Sequence, residues 1–307
     1  MKHLLLFSIL FGAFASTRVV VVTAEEPLRV VTTTATFASL VREIGGEVVR
    51  VDSIASPKLN PHFIEPRPSD VVRLKRADLF VHSGLDLELW RGPLVDAVGR
   101  IEMRAGGEKE LGLASVVSIR EALPEGITRS EGDIHRSGNP HFWHAPDNVI
   151  AVAKLLADRL AMERPSLATV FAQNAERFIE SIVRAEAEWR MHIASFRGRE
   201  LVGYHNEWPY LMEFLGLRMR MFMEPKPGIA PTPRHIAVLQ QYIQEHKVAA
   251  IVQATFYPDD AARAIAETMS IPLLKLCQNI GELPECADYL SMMAYNVGLL
   301  KKALAAR

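Results

Sequence analysis

Hydrophobic and polar positions along the chain alternate between the two-residue period of strands and the 3.6-residue period of helices. The β-branched run LRVVTTT (28–34) predicts a strand, and FASLVREIGG (37–46) predicts an amphipathic helix that ends at a glycine pair. The alternation continues to about residue 119 and resumes after residue 198. Because parallel strands need long crossover connections, this pattern predicts an α/β protein whose parallel sheets are flanked by helices.

A long segment with helical periodicity separates the two α/β regions. After Pro165, residues 166–196 keep the 3.6-residue period, and a helix of that length spans about 45 Å. We therefore predict an N-terminal lobe over residues 25–164, a rigid connecting helix over 165–197 and a C-terminal lobe over 198–307.

Residues 1–24 have the composition of an export signal, with Lys2 ahead of an apolar run from Leu4 to Gly12 and small residues beyond it. A membrane anchor is the alternative, but Arg18 interrupts the apolar run short of the ~20 residues that a transmembrane helix needs. We predict cleavage near Glu25 and export, most simply to a periplasm.

The overall composition is that of a soluble globular protein, with 49% hydrophobic and 23% charged residues. The formal net charge is −1, and the sequence contains no stripe of Lys and Arg. A nucleic-acid partner is therefore excluded, because it would need a basic footprint.

The chain has two cysteines, Cys277 and Cys286. Neither lies near the predicted cleavage site, so we expect no lipid anchor. In an oxidising compartment the pair can form a disulfide that closes a C-terminal loop. A metal-binding pair is the weaker alternative, since it needs tighter spacing.

The tetrapeptide NPHF occurs twice, at Asn60–Phe63 and Asn139–Phe142. Each copy is followed by further prolines and then by Ser, Asp or Asn ahead of a helical run. Because such residues cap helix N-termini, His62 and His141 are predicted to lie on short stiff loops just before helices. Two imidazoles held in this way resemble half of a metal site.

His205 follows the predicted strand RELVGYHN (199–206) and shares this strand-to-helix position. In open parallel sheets, ligands gather at the carboxyl ends of strands, so His62, His141 and His205 can converge on a cleft between the lobes. The spacings of 79 and 64 residues match no local zinc motif. From the residues alone, a three-histidine metal site and three separate loop histidines both remain open.

Several signatures, in order, resemble the metal-binding receptor proteins of bacterial ABC importers for zinc and manganese, the ZnuA/TroA-like cluster. They are NPHFIEPRPSDVVRLKRADLFVHSGLDLELW, GNPHFWHAPDN, VGYHNEWPYLMEFLGL, FMEPKPGIAPTPRH and YLSMMAYNVGLL. The resemblance covers essentially the whole chain after the export signal. It implies that His62, His141 and His205 are metal ligands, that the protein is not an enzyme and that its partner is an ABC permease.

The sequence departs from this family at one position. Many relatives supply an Asp after the last strand, where LCQNIG places Gln278. The fourth ligand is therefore left open between water, Gln278, Glu207 and Glu224. Three imidazoles without an assured carboxylate favour Zn²⁺ over Mn²⁺, which prefers more oxygen ligands, although copper and nickel also suit nitrogen.

Two further histidines lie before or within the second signature. Zinc receptors of the family often carry a histidine-rich loop there, and the segment EGDIHRSGNPH holds a single histidine before the signature, His135. We interpret His135 as at most a remnant of such a loop. His144 replaces a residue that is often apolar, and it can lie just behind the ligands.

These features predict a monomeric periplasmic receptor that captures Zn²⁺ and delivers it to a permease. No GxxxxGK[ST] segment is present, so the energy source must be another subunit. A Mn²⁺ receptor is the alternative within the family. A zinc hydrolase is the rival class, with Glu207 as general base, although no hydrolase motif supports it. A surface adhesin is disfavoured by the missing lipid anchor.

Overall fold

The computed structural model describes residues 26–121, 135, 137–226 and 228–306. The predicted export signal and residues 122–134 lie outside them. Within the described residues, no helix combines the length and the apolar character needed to cross a bilayer.

The N-terminal region contains the first parallel sheet. Its strands are β1 (Leu28–Thr32), β2 (Val49–Ser53), β3 (Leu79–His82) and β4 (Glu110–Gly112). The connecting helices are α1 (Ala35–Gly45), α2 (Pro68–Lys75) and α3 (Arg91–Val98). The strand order is β2-β1-β3-β4, and in the sheet Val30 lies between Val51 and Leu79. The strands carry buried β-branched and leucine side chains, as expected for a parallel sheet that is covered on both faces.

Two long helices follow, α4 (Pro146–Glu163) and α5 (Ala168–Ile193). The 26 residues of α5 correspond to about 39 Å. A 3₁₀ turn flanks it at each end, Pro165–Leu167 and Ala194–Phe196. The α-helix is therefore shorter than the connecting helix predicted over residues 165–197, because Pro165 begins a separate 3₁₀ turn.

The C-terminal region repeats the first arrangement. Its strands are β5 (Glu200–Gly203), β6 (Arg218–Phe222), β7 (Ile251–Ala254) and β8 (Leu273–Leu276). Its helices are α6 (Pro209–Leu215), α7 (Pro233–Glu245), α8 (Asp260–Thr268) and α9 (Tyr289–Ala305). The strand order is β6-β5-β7-β8, all parallel. This confirms the predicted α/β class with two sheets and a long helix; the exact domain boundaries stay predictions.

Two helices begin at a proline that lies ahead of the Ser, Asp or Asn expected as caps. Helix α2 begins at Pro68, one residue before Ser69, and α4 begins at Pro146, two residues before Asn148. Proline is favoured in the first turn because the N–H that it lacks would have no partner there. Asn148 accordingly does not cap α4, and its side-chain oxygen accepts a hydrogen bond from Ser118 N at 2.9 Å.

The segment between β8 and α9 connects the two lobes. Cys277 and Cys286 form a disulfide across it, which is one of the two alternatives left open above. Within the loop, Ile280 N donates to Thr36 Oγ1 at 3.1 Å in the N-terminal lobe. Asn279 Nδ2 likewise donates to the carbonyl of Pro57 at 3.0 Å. The disulfide-closed loop thus spans the cleft.

Candidate metal centre

The first NPHF copy forms a 3₁₀ turn, Pro61–Phe63, that follows β2. The side-chain oxygen of Asn60 accepts a hydrogen bond from the backbone N of His62 at 3.0 Å. Trp90 Nε1 donates to the carbonyl of Pro61 at 2.8 Å. Because both sides of the turn are held, the His62 side chain is presented to the cleft from a fixed backbone, and it is only 8% exposed.

The second copy uses its asparagine in the same way and adds one contact. Asn139 Oδ1 lies 3.1 Å from the backbone N of His141 and 2.9 Å from its ring Nδ1. A backbone N–H can only donate, so the atom facing it must be the amide oxygen. The ring Nδ1 must then also donate, which leaves the lone pair on His141 Nε2. In both NPHF copies, the asparagine side-chain oxygen therefore holds the backbone of the histidine two residues later.

His205 is oriented by a carboxylate. Its Nδ1 lies 2.8 Å from Glu224 Oε2, which also accepts from Gly228 N at 3.1 Å. Since a carboxylate accepts, Nδ1 carries the proton and Nε2 carries the lone pair. His205 Nε2 is buried and has no hydrogen-bond partner among the described residues. A carboxylate behind a histidine is the usual support of a metal-bound imidazole.

The structure brings His62, His141 and His205 together from both lobes. Their ring centroids are 5.3 Å apart for His62 and His141, 5.8 Å for His62 and His205, and 6.0 Å for His141 and His205. The Nε2 atoms of His62 and His141 are 3.2 Å apart. Two imidazoles on one tetrahedral Zn²⁺ place their nitrogens about 3.3 Å apart. The pair therefore fits a shared ion without rearrangement.

A fourth imidazole, that of His135, joins this cluster. Its ring centroid is 4.9 Å from that of His62, in a stacked arrangement, and 6.1 Å from that of His141. Ligand nitrogens of His62, His135 and His205 all lie within 4.8 Å of one another. From the sequence, His135 is interpreted as at most a remnant of a histidine-rich loop, and the structure places its ring in the cluster. The signal present in the sequence is the glycine at 138, because glycine permits a turn that folds the chain back; its φ is 115°.

The environment holds two of these imidazoles in the neutral form. Burial lowers the pKa of His62 well below its usual value, and the neighbouring His135 and His205 rings lower it further. Burial likewise lowers the pKa of His141, and so do the imidazoles of His62, His205, His135 and His144. Neutral imidazole is the form that binds metal, so no proton has to leave these two rings at neutral pH.

The family described as "ZnuA: Zinc-uptake complex component A periplasmic" matches residues 30–303. The chain belongs to this family. The match covers both sheets, α4 and α5, and it confirms the resemblance that the five signatures carried.

The relatives of this chain differ in the metal that their names give. The zinc-binding lipoprotein AdcA of Streptococcus pneumoniae is 24% identical over 300 residues, covering 91% of this chain and 56% of AdcA. The iron-binding protein YfeA of Yersinia pestis is 24% identical over 283 residues, covering 89% of this chain and 85% of YfeA. The chain thus spans little more than half the length of AdcA.

Solved structures show the same fold. A crystal structure of ZnuA has a TM-score of 0.76 at 19% identity and covers 91% of this chain and 100% of its own. A mutant of the laminin-binding adhesin Lmb from Streptococcus agalactiae has a TM-score of 0.74 at 22% identity, covering 90% and 99%. At these identities the likeness establishes the fold alone.

Gln278, which stands where many relatives have Asp, is fully buried next to the disulfide. Its backbone N donates to Glu282 Oε2 at 2.8 Å, and its carbonyl accepts from Trp143 Nε1 at 2.8 Å. Both polar atoms of its side chain lack a hydrogen-bond partner among the described residues. Gln278 therefore remains available as a ligand or as a partner for water.

The two glutamates named as alternatives have different environments. Glu224 contacts Nδ1 of His205, the edge of the ring opposite the lone pair, so it supports that histidine from behind. Glu207 is fully buried, and its Oε1 accepts from Ala254 N at 3.2 Å. Burial and the nearby Glu282 raise the pKa of Glu207 well above its usual value. A carboxyl group that favours its protonated form is a poor metal ligand.

His144 lies beside the centre among aromatic rings. Its ring centroid is 5.5 Å from Trp143 and 4.8 Å from Trp208. Neither ring nitrogen has a hydrogen-bond partner among the described residues. Burial lowers the pKa of His144 to about 3, so this imidazole is neutral and contributes to the low polarity of the wall behind His141.

Proposed function

We propose that this protein captures Zn²⁺ in the cleft between its lobes, with His62, His141 and His205 as ligands, and delivers it to a membrane ABC permease. The observation that carries the proposal is the convergence of three imidazoles, two of which have their lone pairs assigned. Nε2 of His141 and Nε2 of His205 are left to bind by their hydrogen-bonded Nδ1 atoms, and Nε2 of His62 lies 3.2 Å from that of His141. Membership of a zinc-uptake family supports it.

The donor set favours zinc over manganese. Imidazole nitrogen suits Zn²⁺ in four-coordinate sites, whereas Mn²⁺ prefers more oxygen and a higher coordination number. The carboxylate of Glu224 is engaged with His205 Nδ1, and Gln278 offers only a neutral amide. One relative, YfeA of Yersinia pestis, is named as an iron-binding protein. We propose that the protein acts as a monomer in the periplasm.

Titration of the metal-free protein with Zn²⁺ and Mn²⁺, by competition with a chelator, tests this function. We expect tight binding of Zn²⁺ and weaker binding of Mn²⁺. Each of His62→Ala, His141→Ala and His205→Ala should reduce zinc affinity by more than about 100-fold, because loss of outer groups alone costs 10–100-fold. The control is His192→Ala, on α5, which should bind as the unmodified protein does.

Unchanged zinc affinity in His62→Ala would refute the site. A preference for Mn²⁺ would refute the zinc assignment while leaving the receptor class intact. A three-histidine zinc ion is also a catalytic arrangement, so the zinc-loaded protein and its His205→Ala variant should be compared in a hydrolysis screen. We expect no turnover, and zinc-dependent turnover that His205→Ala abolishes would contradict the receptor function.

A further inference from the structure

The metal centre needs one more donor than the three strand-end histidines supply. A tetrahedral zinc ion takes four ligands, and sites that only hold the ion are usually closed by protein groups. Glu224 faces the wrong edge of His205. Glu207 accepts from Ala254 N through Oε1, while its Oε2 has no hydrogen-bond partner among the described residues. Among the described residues, Gln278, Glu207 and His135 are therefore the side chains with a claim to the fourth position.

The distances favour His135. A nitrogen of His135 lies within 4.8 Å of ligand nitrogens of both His62 and His205, which come from different lobes. Nitrogens on one zinc ion are separated by about 3.3 Å, so a side-chain adjustment of at most about 1.5 Å completes the contact. The partly buried imidazole of His135 also stacks on His62, with 29° between the ring planes. The ring of His135 is therefore close to ligands from both lobes.

The backbone that carries His135 is tied to the same residues that orient the other ligands. The carbonyl of His135 accepts from Gly138 N at 3.2 Å, which closes a turn. A Cβ at Gly138 would lie 2.1 Å from a methyl carbon of Ile119, so only glycine fits there. Directly after it, Asn139 holds His141 Nδ1 and donates to the carbonyl of Asn206, next to His205.

We propose that His135 is the fourth metal ligand and that the resulting all-imidazole site sets the preference for Zn²⁺ over Mn²⁺. This inference rests on the proposed function, because it assumes that the other three histidines bind the ion. Four neutral nitrogens give a donor set that Mn²⁺ binds poorly. The family position often occupied by Asp, here Gln278, is then not needed for ligation.

Two variants of the purified protein test the inference, His135→Ala and His135→Asp, with Gln278→Ala and His192→Ala as matched controls. X-ray absorption on the zinc-loaded protein counts imidazoles around the ion. We expect four in the unmodified protein and in both controls, and three in His135→Ala. Zinc affinity should fall more than about 100-fold in His135→Ala, exceeding the cost of losing an outer group. It should be unchanged in Gln278→Ala.

His135→Asp supplies the conservative comparison. A carboxylate in place of the fourth imidazole should restore much of the zinc affinity that His135→Ala loses. Because oxygen donors suit Mn²⁺, the ratio of zinc affinity to manganese affinity should also fall at least about tenfold. An unchanged ratio in His135→Asp would overturn the assignment of selectivity. Circular dichroism of the metal-free variants verifies that each remains folded.

The outcomes separate this inference from the function on which it rests. If His62→Ala abolishes zinc binding while His135→Ala binds as tightly as the unmodified protein, the receptor function stands and the role of His135 is refuted. Loss of zinc binding in Gln278→Ala, with three imidazoles counted in the unmodified protein, also refutes it. If His62→Ala still binds zinc normally, the function itself fails.

Discussion

At the scale of single residues, the metal centre depends on groups that bind the far edges of two of its imidazoles. Asn139 Oδ1 accepts a hydrogen bond from Nδ1–H of His141, and Glu224 Oε2 accepts one from Nδ1–H of His205. Each contact selects the tautomer whose Nε2 lone pair faces the cleft. The repeated asparagine of the NPHF copies is therefore as important to the chemistry as the histidine that follows it.

Glu224→Ala is expected to lower zinc affinity 10–100-fold, because His205 loses the carboxylate that fixes its ring and raises its basicity. Glu224→Gln should lose less zinc affinity, since an amide oxygen can still accept a hydrogen bond from Nδ1 of His205. Chelator competition measures both. Glu188→Ala, on α5 with its side chain 65% exposed, is the control. Equal affinities for Glu224→Ala and this control would show that Glu224 plays no part in binding.

His144 is expected to make the metal-free protein sensitive to acid. Its folded-state pKa of about 3 is below the unfolded value of 6.5, so the unfolded chain binds the extra proton as the pH falls below 6.5. Stability is then lost between pH 6.5 and pH 3, and this group alone contributes a loss of about 2 kcal/mol between pH 7 and pH 5.

Urea unfolding at pH 7 and pH 5, with chelator present, measures this effect. His144→Leu should lose about 2 kcal/mol less than the unmodified protein over that interval. His62 and His141 are present in both proteins, so the difference reports His144 together with the small effect that its removal has on the pKa of His141. The prediction fails if the two proteins lose the same free energy of unfolding.

At the scale of elements, short turns at strand ends carry the chemistry, and helices hold them in place. His62 follows β2 and His205 follows β5, so the parallel direction of both sheets delivers these side chains to the cleft. The turn after β8 has the additional restraint of the Cys277–Cys286 disulfide.

Reduction of this disulfide is expected to lower the free energy of unfolding by about 2–3 kcal/mol, the entropy of closing a ten-residue loop. Denaturant unfolding with and without a thiol reductant measures the change. The double variant Cys277→Ser, Cys286→Ser should have the stability of the reduced protein and should not respond to reductant. A reductant effect on the double variant, or none on the unmodified protein, would contradict the prediction.

At the scale of the whole molecule, α5 restrains movement between the lobes. It packs against α4, α1 and α9. Hydrogen bonds such as Ile280 N to Thr36 Oγ1 also cross the cleft. A hinge made of a packed helix permits less closure than flexible strand linkers permit.

Zinc binding is accordingly expected to leave the overall dimensions unchanged and to order the turns that carry the ligands. Small-angle scattering of the metal-free and zinc-loaded protein should give the same radius of gyration within error. Hydrogen exchange should slow around residues 60–63 and 137–142 when zinc is added, and should not change in α5. A clear decrease in the radius of gyration on zinc addition would show that the lobes close as rigid bodies.

The sequence by itself determined the architecture of this protein, because hydrophobic period and turn residues are local properties. They predicted the strands of both sheets, the long helix before β5 and the strand-end positions of His62 and His205. The ordered signatures were specific enough to indicate the family. Helix starts were displaced by one or two residues at Pro68 and Pro146, where proline competed with the predicted caps.

Only the tertiary structure decided which polar groups share the cleft. The 79 and 64 residues between the three predicted ligands say nothing about distance, since convergence depends on how two sheets face each other. The spacing of residues along the sequence does not predict that His135 stacks on His62. It also does not predict that Glu224 contacts the far edge of His205. The physical reason is that a metal site is a set of distances of a few ångströms, and such distances between remote residues are fixed by packing.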